Sequence, residues 1–117
     1  MYKNVKFFVD FYYGDDNELF KLLEKNPHAE QKYTDTHSYR NAIELNCPYD
    51  QVEARFEDMS DDIDFLESRY GFMLPEIKDG ELTYEYGFTS DEISRDNATV
   101  VWEKLYALLK NANMIVE

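Results

Sequence analysis

Val52, Phe56, Met59, Ile63, Leu66 and Tyr70 follow one another at spacings of 4, 3, 4, 3 and 4. An extended chain would throw these residues to both sides, whereas a helix gathers them on one face over about five turns. Asp50 and Glu53 have the offset of a capping box, with Asp in place of the usual Ser or Thr, and Tyr49 can staple onto Ala54. Gly71 supplies the stop. Ser60 could split the segment, but the stripe stays in phase across it, so one continuous helix over 50–70 is expected.

A helix with so narrow an apolar stripe needs a partner surface, and the N-terminal segment offers one. Val5, Phe7, Val9, Phe11 and Tyr13 alternate on one side of an extended run, while Phe8 and Tyr12 make the other side partly apolar. This predicts a strand with one buried face and a half-covered reverse face. Gly14-Asp15-Asp16 ends it, and Asp16 is placed to cap a short helix through Leu19, Phe20, Leu22 and Leu23 that stops near Asn26-Pro27. Residues 28–38 are polar and show no period. Tyr39, Ile43, Leu45 and Cys47 share one side of a second extended segment over about 39–47, with Asn41 interrupting that side. Phe72-Met73-Leu74, Asp79-Gly80 and then Leu82, Tyr84, Tyr86 and Phe88 predict a hairpin whose turn uses a glycine at positive φ. Pro75 makes its first arm short or an edge. Thr89 and Glu92 form a second capping-box pattern before a brief turn. A last helix beginning near Asp96 or Asn97 buries Ala98, Val101, Trp102, Leu105, Leu108, Leu109 and Ala112, and Met114-Ile115-Val116 can dock as an extended tail.

The order strand, helix, strand, long helix, hairpin, helix predicts an α+β fold, with a three- or four-stranded, largely antiparallel sheet packed against three helices. Residues 1–117 are expected to form a single acidic domain, since the length suits one core and 44% of the residues are hydrophobic. No apolar run approaches the roughly 20 residues needed to cross a bilayer, and the N-terminus lacks a basic segment followed by an apolar core. A cytoplasmic protein is expected. Cys47 is the only cysteine, which excludes an internal disulfide and a thiolate metal cluster, and it reads as a small core hydrophobe.

The net charge of −13 is concentrated in the middle: residues 41–96 hold sixteen acids against four bases. Such a field attracts basic proteins and repels nucleic acid and anionic membrane, so neither direct nucleic-acid binding nor membrane binding is expected. Its densest part is the polar side of the long helix, where Asp50, Glu53, Glu57, Asp58, Asp61, Asp62, Asp64 and Glu67 stand against Arg55 alone. Glu53, Glu57, Asp61 and Asp64 recur at spacings of 4, 4 and 3, a ladder with gaps of roughly 5–6 Å. Like charges so placed cost a few tenths of a kcal/mol per pair. A row of carboxylates at this spacing can compete for a groove built to hold phosphates. Tyr84 and Tyr86, interleaved with Glu85, add aromatic contact area of the kind enriched at interfaces.

The candidate partner-binding residues are therefore Glu53, Glu57, Asp58, Asp61, Asp62, Asp64, Glu67, Tyr84 and Tyr86. No catalytic group, cofactor or metal centre is expected. An EF-hand reading of Asp58, Ser60, Asp62 and Asp64 fails because Ile63 stands where glycine must turn the loop and Arg69 where a bidentate Glu is required. His28 and His37 fall in no zinc pattern and read as surface residues. There is no phosphate-cradling glycine loop, nucleophile elbow or Cys-His pair at a recognisable spacing. The expected function is that of a non-enzymatic inhibitor or decoy for the basic nucleic-acid-binding surface of a nuclease-type enzyme, as in anti-restriction, anti-CRISPR or DNA-mimic proteins. By analogy with such compact acidic decoys, an origin in a phage or mobile element follows. An immunity-type inhibitor of a basic toxin and a regulatory or adaptor domain are the alternatives.

Overall fold

In the computed structural model, which describes residues 4–71, 76–80, 82–90 and 94–115, the two-faced apolar run forms β1 (Asn4–Tyr12) at the centre of the sheet. Phe7, Phe8, Val9 and Phe11 are all fully buried, which is why this strand cannot lie at an edge. It is followed by α1 (Asn17–Lys25), β2 (Ala29–Tyr33) and β3 (Ser38–Glu44), then by α2 (Val52–Asp58), α3 (Ser60–Tyr70), β4 (Glu76–Asp79), β5 (Thr83–Thr89) and α4 (Arg95–Asn111). The sheet order is β2-β3-β1-β5-β4. Among the described residues the central β1–β5 pair alone is parallel, and the other three strand pairings are antiparallel.

The α+β class is as the sequence predicts, with two corrections to its inventory. Among the described residues the sheet has five strands where three or four were expected, and four α-helices cover it where three were expected. The extra strand, β2, comes from the unplaced polar stretch: it is an edge strand with Glu30, Gln31 and Lys32 all exposed, so it carries no alternation to read. The extra helix arises because the 50–70 segment breaks at Met59 (φ −98°, ψ 11°) into α2 and α3. The break falls where Asp58, Ser60, Asp61 and Asp62 crowd together, all weak helix formers and three of them like-charged. The stripe nonetheless stays in phase, with Val52, Phe56, Ile63 and Leu66 buried and Met59 and Tyr70 packed against the core.

Registers place Val5, Phe7 and Val9 beside Tyr84, Tyr86 and Phe88, all facing the helices. Phe7 is the hub, stacked on Phe56 (5.5 Å) and Trp102 (6.3 Å) and edge-on to Phe88 (5.8 Å). Asp16 caps α1, accepting from the N–H groups of Glu18 and Leu19 (both 3.1 Å), and also receives Arg95 from the start of α4 (3.0 Å). Ser94 caps α4 through Asn97 N–H (3.3 Å). The extended tail docks as expected, with fully buried Met114 and an antiparallel bridge between Ile115 and Leu45. Arg55 ties α2 to the end of α4 by donating to the Ala112 carbonyl. Cys47 is a buried core residue, and burial pushes its thiol up from the ordinary range.

The hairpin forms between β4 and β5, but its turn differs from the expected one. Gly80 does not take a positive φ, and the loop closes through its N–H donating to the Thr83 carbonyl (3.0 Å). Leu82 precedes β5 and is half exposed instead of sharing its buried face. The expected first arm at 72–74 and Glu92 of the second capping box lie outside the described residues. His28 is half-buried, its ring against Trp102 (5.5 Å) and Tyr106 (5.3 Å), while His37 is exposed in a turn at φ 53°.

Asn41 faces the helices from β3, in register with Val9 and Ala29, and is 1% exposed with neither end of its amide hydrogen-bonded to a described residue. An unpaired buried amide costs about 1–3 kcal/mol. Asn41→Leu, close in shape, should therefore raise stability by about 1 kcal/mol or more, read as a higher urea midpoint at unchanged slope. A lower midpoint would show that the amide is satisfied by water.

Candidate functional site

Helices α2 and α3 cross over the β4–β5 end of the sheet and leave between them and the hairpin a groove of about 350 Å³. Its floor is apolar: Phe56 and Ile63 from the helices, and Ile77, Tyr86 and Phe88 from the strands. Tyr86 lies stacked on Phe56 at 4.3 Å. Ile77, directly opposite Tyr86 in the β4–β5 register, remains 47% exposed. The rim carries Glu53 and Glu57 from α2, Asp64 and Glu67 from α3, and Ser60 at the junction. Among the described residues no basic side chain lines it.

Four of the candidate acids are thus brought together with Tyr86, and the others are not. Asp58 and Asp61 are exposed outside the groove, and Asp62 lies on the opposite flank, in a shallower groove of about 220 Å³ with Phe65, Lys104 and Leu108. The expected ladder of Glu53, Glu57, Asp61 and Asp64 is not kept along the groove: Asp61 falls outside it, and the rim acids are Glu53 with Glu57 and Asp64 with Glu67, on either side of the Met59 break. Tyr84 and Tyr86 do not form an exposed tyrosine surface: both face the core and are under 10% exposed. Tyr84 contributes by donating its hydroxyl to Glu53 (3.3 Å), which orients that carboxylate at one end of the groove. Ile77 and Phe88 were not among the candidate binding residues, although Phe88 was placed on the same strand as Tyr86. The signal for Ile77 was the hairpin register, which puts it opposite Tyr86.

The electrostatics follow from apolar floor beneath acidic rim. Burial raises the Glu67 carboxyl above its ordinary range, and neighbouring Asp64 raises it further. Burial likewise raises the Tyr86 phenol, with Glu53 and Glu67 adding to the effect. Among the described residues no three metal-ligating side chains converge, so the carboxylates form a rim and not a chelate.

The raised Glu67 value fixes the sign of a pH effect. The folded state holds this proton more tightly than the unfolded chain does, so ionised Glu67 burdens the fold above its folded value and the burden vanishes below the ordinary glutamate value of 4.5. Glu67→Gln should raise the urea midpoint at about pH 7 and leave it near wild type at about pH 4. An equal change at both pH values would mean that the charge is not the cause.

A separate cluster lies on the reverse face of the sheet, where Arg40 is 3% exposed. Its guanidinium sits 3.9 Å above the Phe8 ring, donates to both Asp10 oxygens (2.7 and 3.0 Å) and reaches Glu85 at 3.3 Å. Nothing in the sequence pattern announced it. No family model, curated protein or solved structure matches this chain. No helix among the described residues is long and apolar enough to cross a membrane.

Proposed function

We propose that this protein is a binding protein, not an enzyme, and that it occupies the basic nucleic-acid-binding surface of a nuclease-type enzyme through the α2–α3 face. The observation that carries this reading is the groove itself, in which every charged lining residue among those described is a carboxylate and the floor is apolar. A net charge of −13 adds long-range attraction for a basic partner and speeds encounter with it. The protein acts in the cytoplasm as a stoichiometric blocker of the anti-restriction, anti-CRISPR or DNA-mimic kind. Division of the acids into two pairs around a groove also favours an immunity-type inhibitor of a basic toxin, since a groove suits side chains of a protein partner better than a straight phosphate-like row would.

The test is affinity capture from lysate at about 0.1 M and about 0.5 M salt, with DNA as competitor. The expected result is one basic nucleic-acid enzyme retained at low salt, released by DNA, and held at least about tenfold more weakly by the Glu57→Gln/Asp61→Asn/Asp64→Asn protein. A basic toxin indifferent to DNA would select the immunity reading. Retention that ignores salt, DNA and these substitutions would overturn both.

A further inference from the structure

Resting on the basic-partner reading, we propose that the groove between α2–α3 and the β4–β5 hairpin is an anchor pocket for a single arginine side chain of the partner. Its volume of about 350 Å³ lies near the bottom of the range of roughly 300–1,000 Å³ typical of small-molecule sites, room for one large side chain and not for a helix or a nucleic-acid strand. The wall chemistry matches arginine part by part. Phe56, Ile63 and Ile77 offer apolar surface to its aliphatic stem, and the carboxylates of Glu57, Asp64 and Glu67 stand at the rim to take the guanidinium.

Arginine fits better than lysine because a planar, weakly hydrated fork can span two carboxylates and lie over an aromatic ring, whereas an ammonium is a compact and strongly hydrated point charge. The molecule already uses this chemistry internally. Arg40 rests on Phe8, grips Asp10 with two nitrogens and meets Glu85 with the third. In the groove the aromatic floor and paired acids are present, and among the described residues none in the lining supplies the cation. Ile77 is 47% exposed there, so a partner's side chain gains apolar contact as well as charge. A field effect alone would not need that floor, and this difference makes the pocket testable apart from the net charge.

The full-length protein is titrated with acetyl-Gly-Arg-Gly-amide while the methyl resonances of Ile63 and Ile77 are followed by NMR. The lysine and citrulline peptides serve as comparators, citrulline keeping the shape without the charge. The arginine peptide should give saturable shifts at both methyls, the lysine peptide should bind several-fold more weakly, and the citrulline peptide should give none. Two variants remove equal charge: Glu57→Gln/Asp64→Asn/Glu67→Gln from the rim, and Asp58→Asn/Asp61→Asn/Asp62→Asn from outside it. The rim variant should weaken arginine binding about tenfold and the outer variant less than about twofold. Ile77→Ser, at an exposed position where folding is little affected, should weaken it several-fold without changing charge. Equal losses in the two charge variants, or no saturable shift at Ile63 and Ile77, would overturn the pocket.

The captured partner separates this inference from the reading beneath it. Wild-type retention by the rim and Ile77→Ser proteins, with loss in the outer variant, overturns the pocket and leaves the basic-partner reading standing. Absence of any salt-sensitive basic partner overturns the reading and the partner assignment with it, whatever the peptide does.

Discussion

Gly87→Ala should destabilise the fold by about 3 kcal/mol or more, a large share of the roughly 5–15 kcal/mol that holds a domain of this size together. Gly87 sits in β5 directly beside Phe8 of β1, and the Phe8 ring lies across it. A methyl group at this position would collide with the Phe8 carbonyl oxygen and stand 2.5 Å from its Cγ and 2.6 Å from Cδ1. The carbonyl belongs to the backbone of the central strand, so it cannot retreat without disturbing the parallel β1–β5 pairing. Nor can the ring swing away freely, because Arg40 covers it from above. The measurement is the urea midpoint, with Phe8→Ala/Gly87→Ala as companion. Since the carbonyl clash survives loss of the ring, the double variant should recover only part of the lost stability. Full recovery would show that the ring alone excludes a side chain, and a loss below about 0.5 kcal/mol in the single variant would refute the steric account.

The position of β1 was legible because a strand buried on both faces writes apolar residues at both parities, as Phe7, Phe8, Val9 and Phe11 do. The α2–α3 stripe was legible for the same kind of reason, since burial on one side imposes a period. Where burial is absent, so is the signal. Glu30, Gln31 and Lys32 are held in β2 by backbone pairing to β3, which any residue can supply, and their exposed side chains leave no trace of it. The Met59 break was hidden because it does not shift the stripe, and a periodicity argument sees only phase. At the candidate site the rim was visible, since Glu53 and Glu57 are helix neighbours, as are Asp64 and Glu67. The floor was legible only in part: Phe56, Ile63, Tyr86 and Phe88 fall in readable apolar patterns, but Ile77 reaches it through a hairpin register that depends on where the turn closes. The same limit hid Arg40, whose partners Asp10 and Glu85 are 30 and 45 residues away.

Asp10→Ala should cost about 3–5 kcal/mol, because it strands a cation in a place from which water is shut out. The Arg40 side chain is 4% exposed, against 14% for Asp10 and 24% for Glu85. Burial by itself would make the Arg40 guanidinium more acidic, yet its value is raised overall, through the hydrogen bond and charge of Asp10 with smaller help from Tyr33 and Glu85. Removing Asp10 deletes the two shortest of its carboxylate contacts, at 2.7 and 3.0 Å, and leaves the 3.3 Å contact to Glu85. Stacking on Phe8 at 3.9 Å holds the cation in place but cannot replace a carboxylate. Because the pair is buried, the loss should persist in about 0.5 M salt, where an exposed bridge such as Lys6–Glu30, both residues about one-third exposed, would already be screened. Arg40→Met keeps the apolar stem over Phe8 and removes the stranded charge, so Asp10→Ala/Arg40→Met should be less damaged than the two single changes added together. A double-mutant cycle by urea denaturation should give a coupling of about 1–3 kcal/mol favouring the native pair. Additive losses would mean that Asp10 contributes packing or strand pairing alone, and that the guanidinium finds its compensation elsewhere.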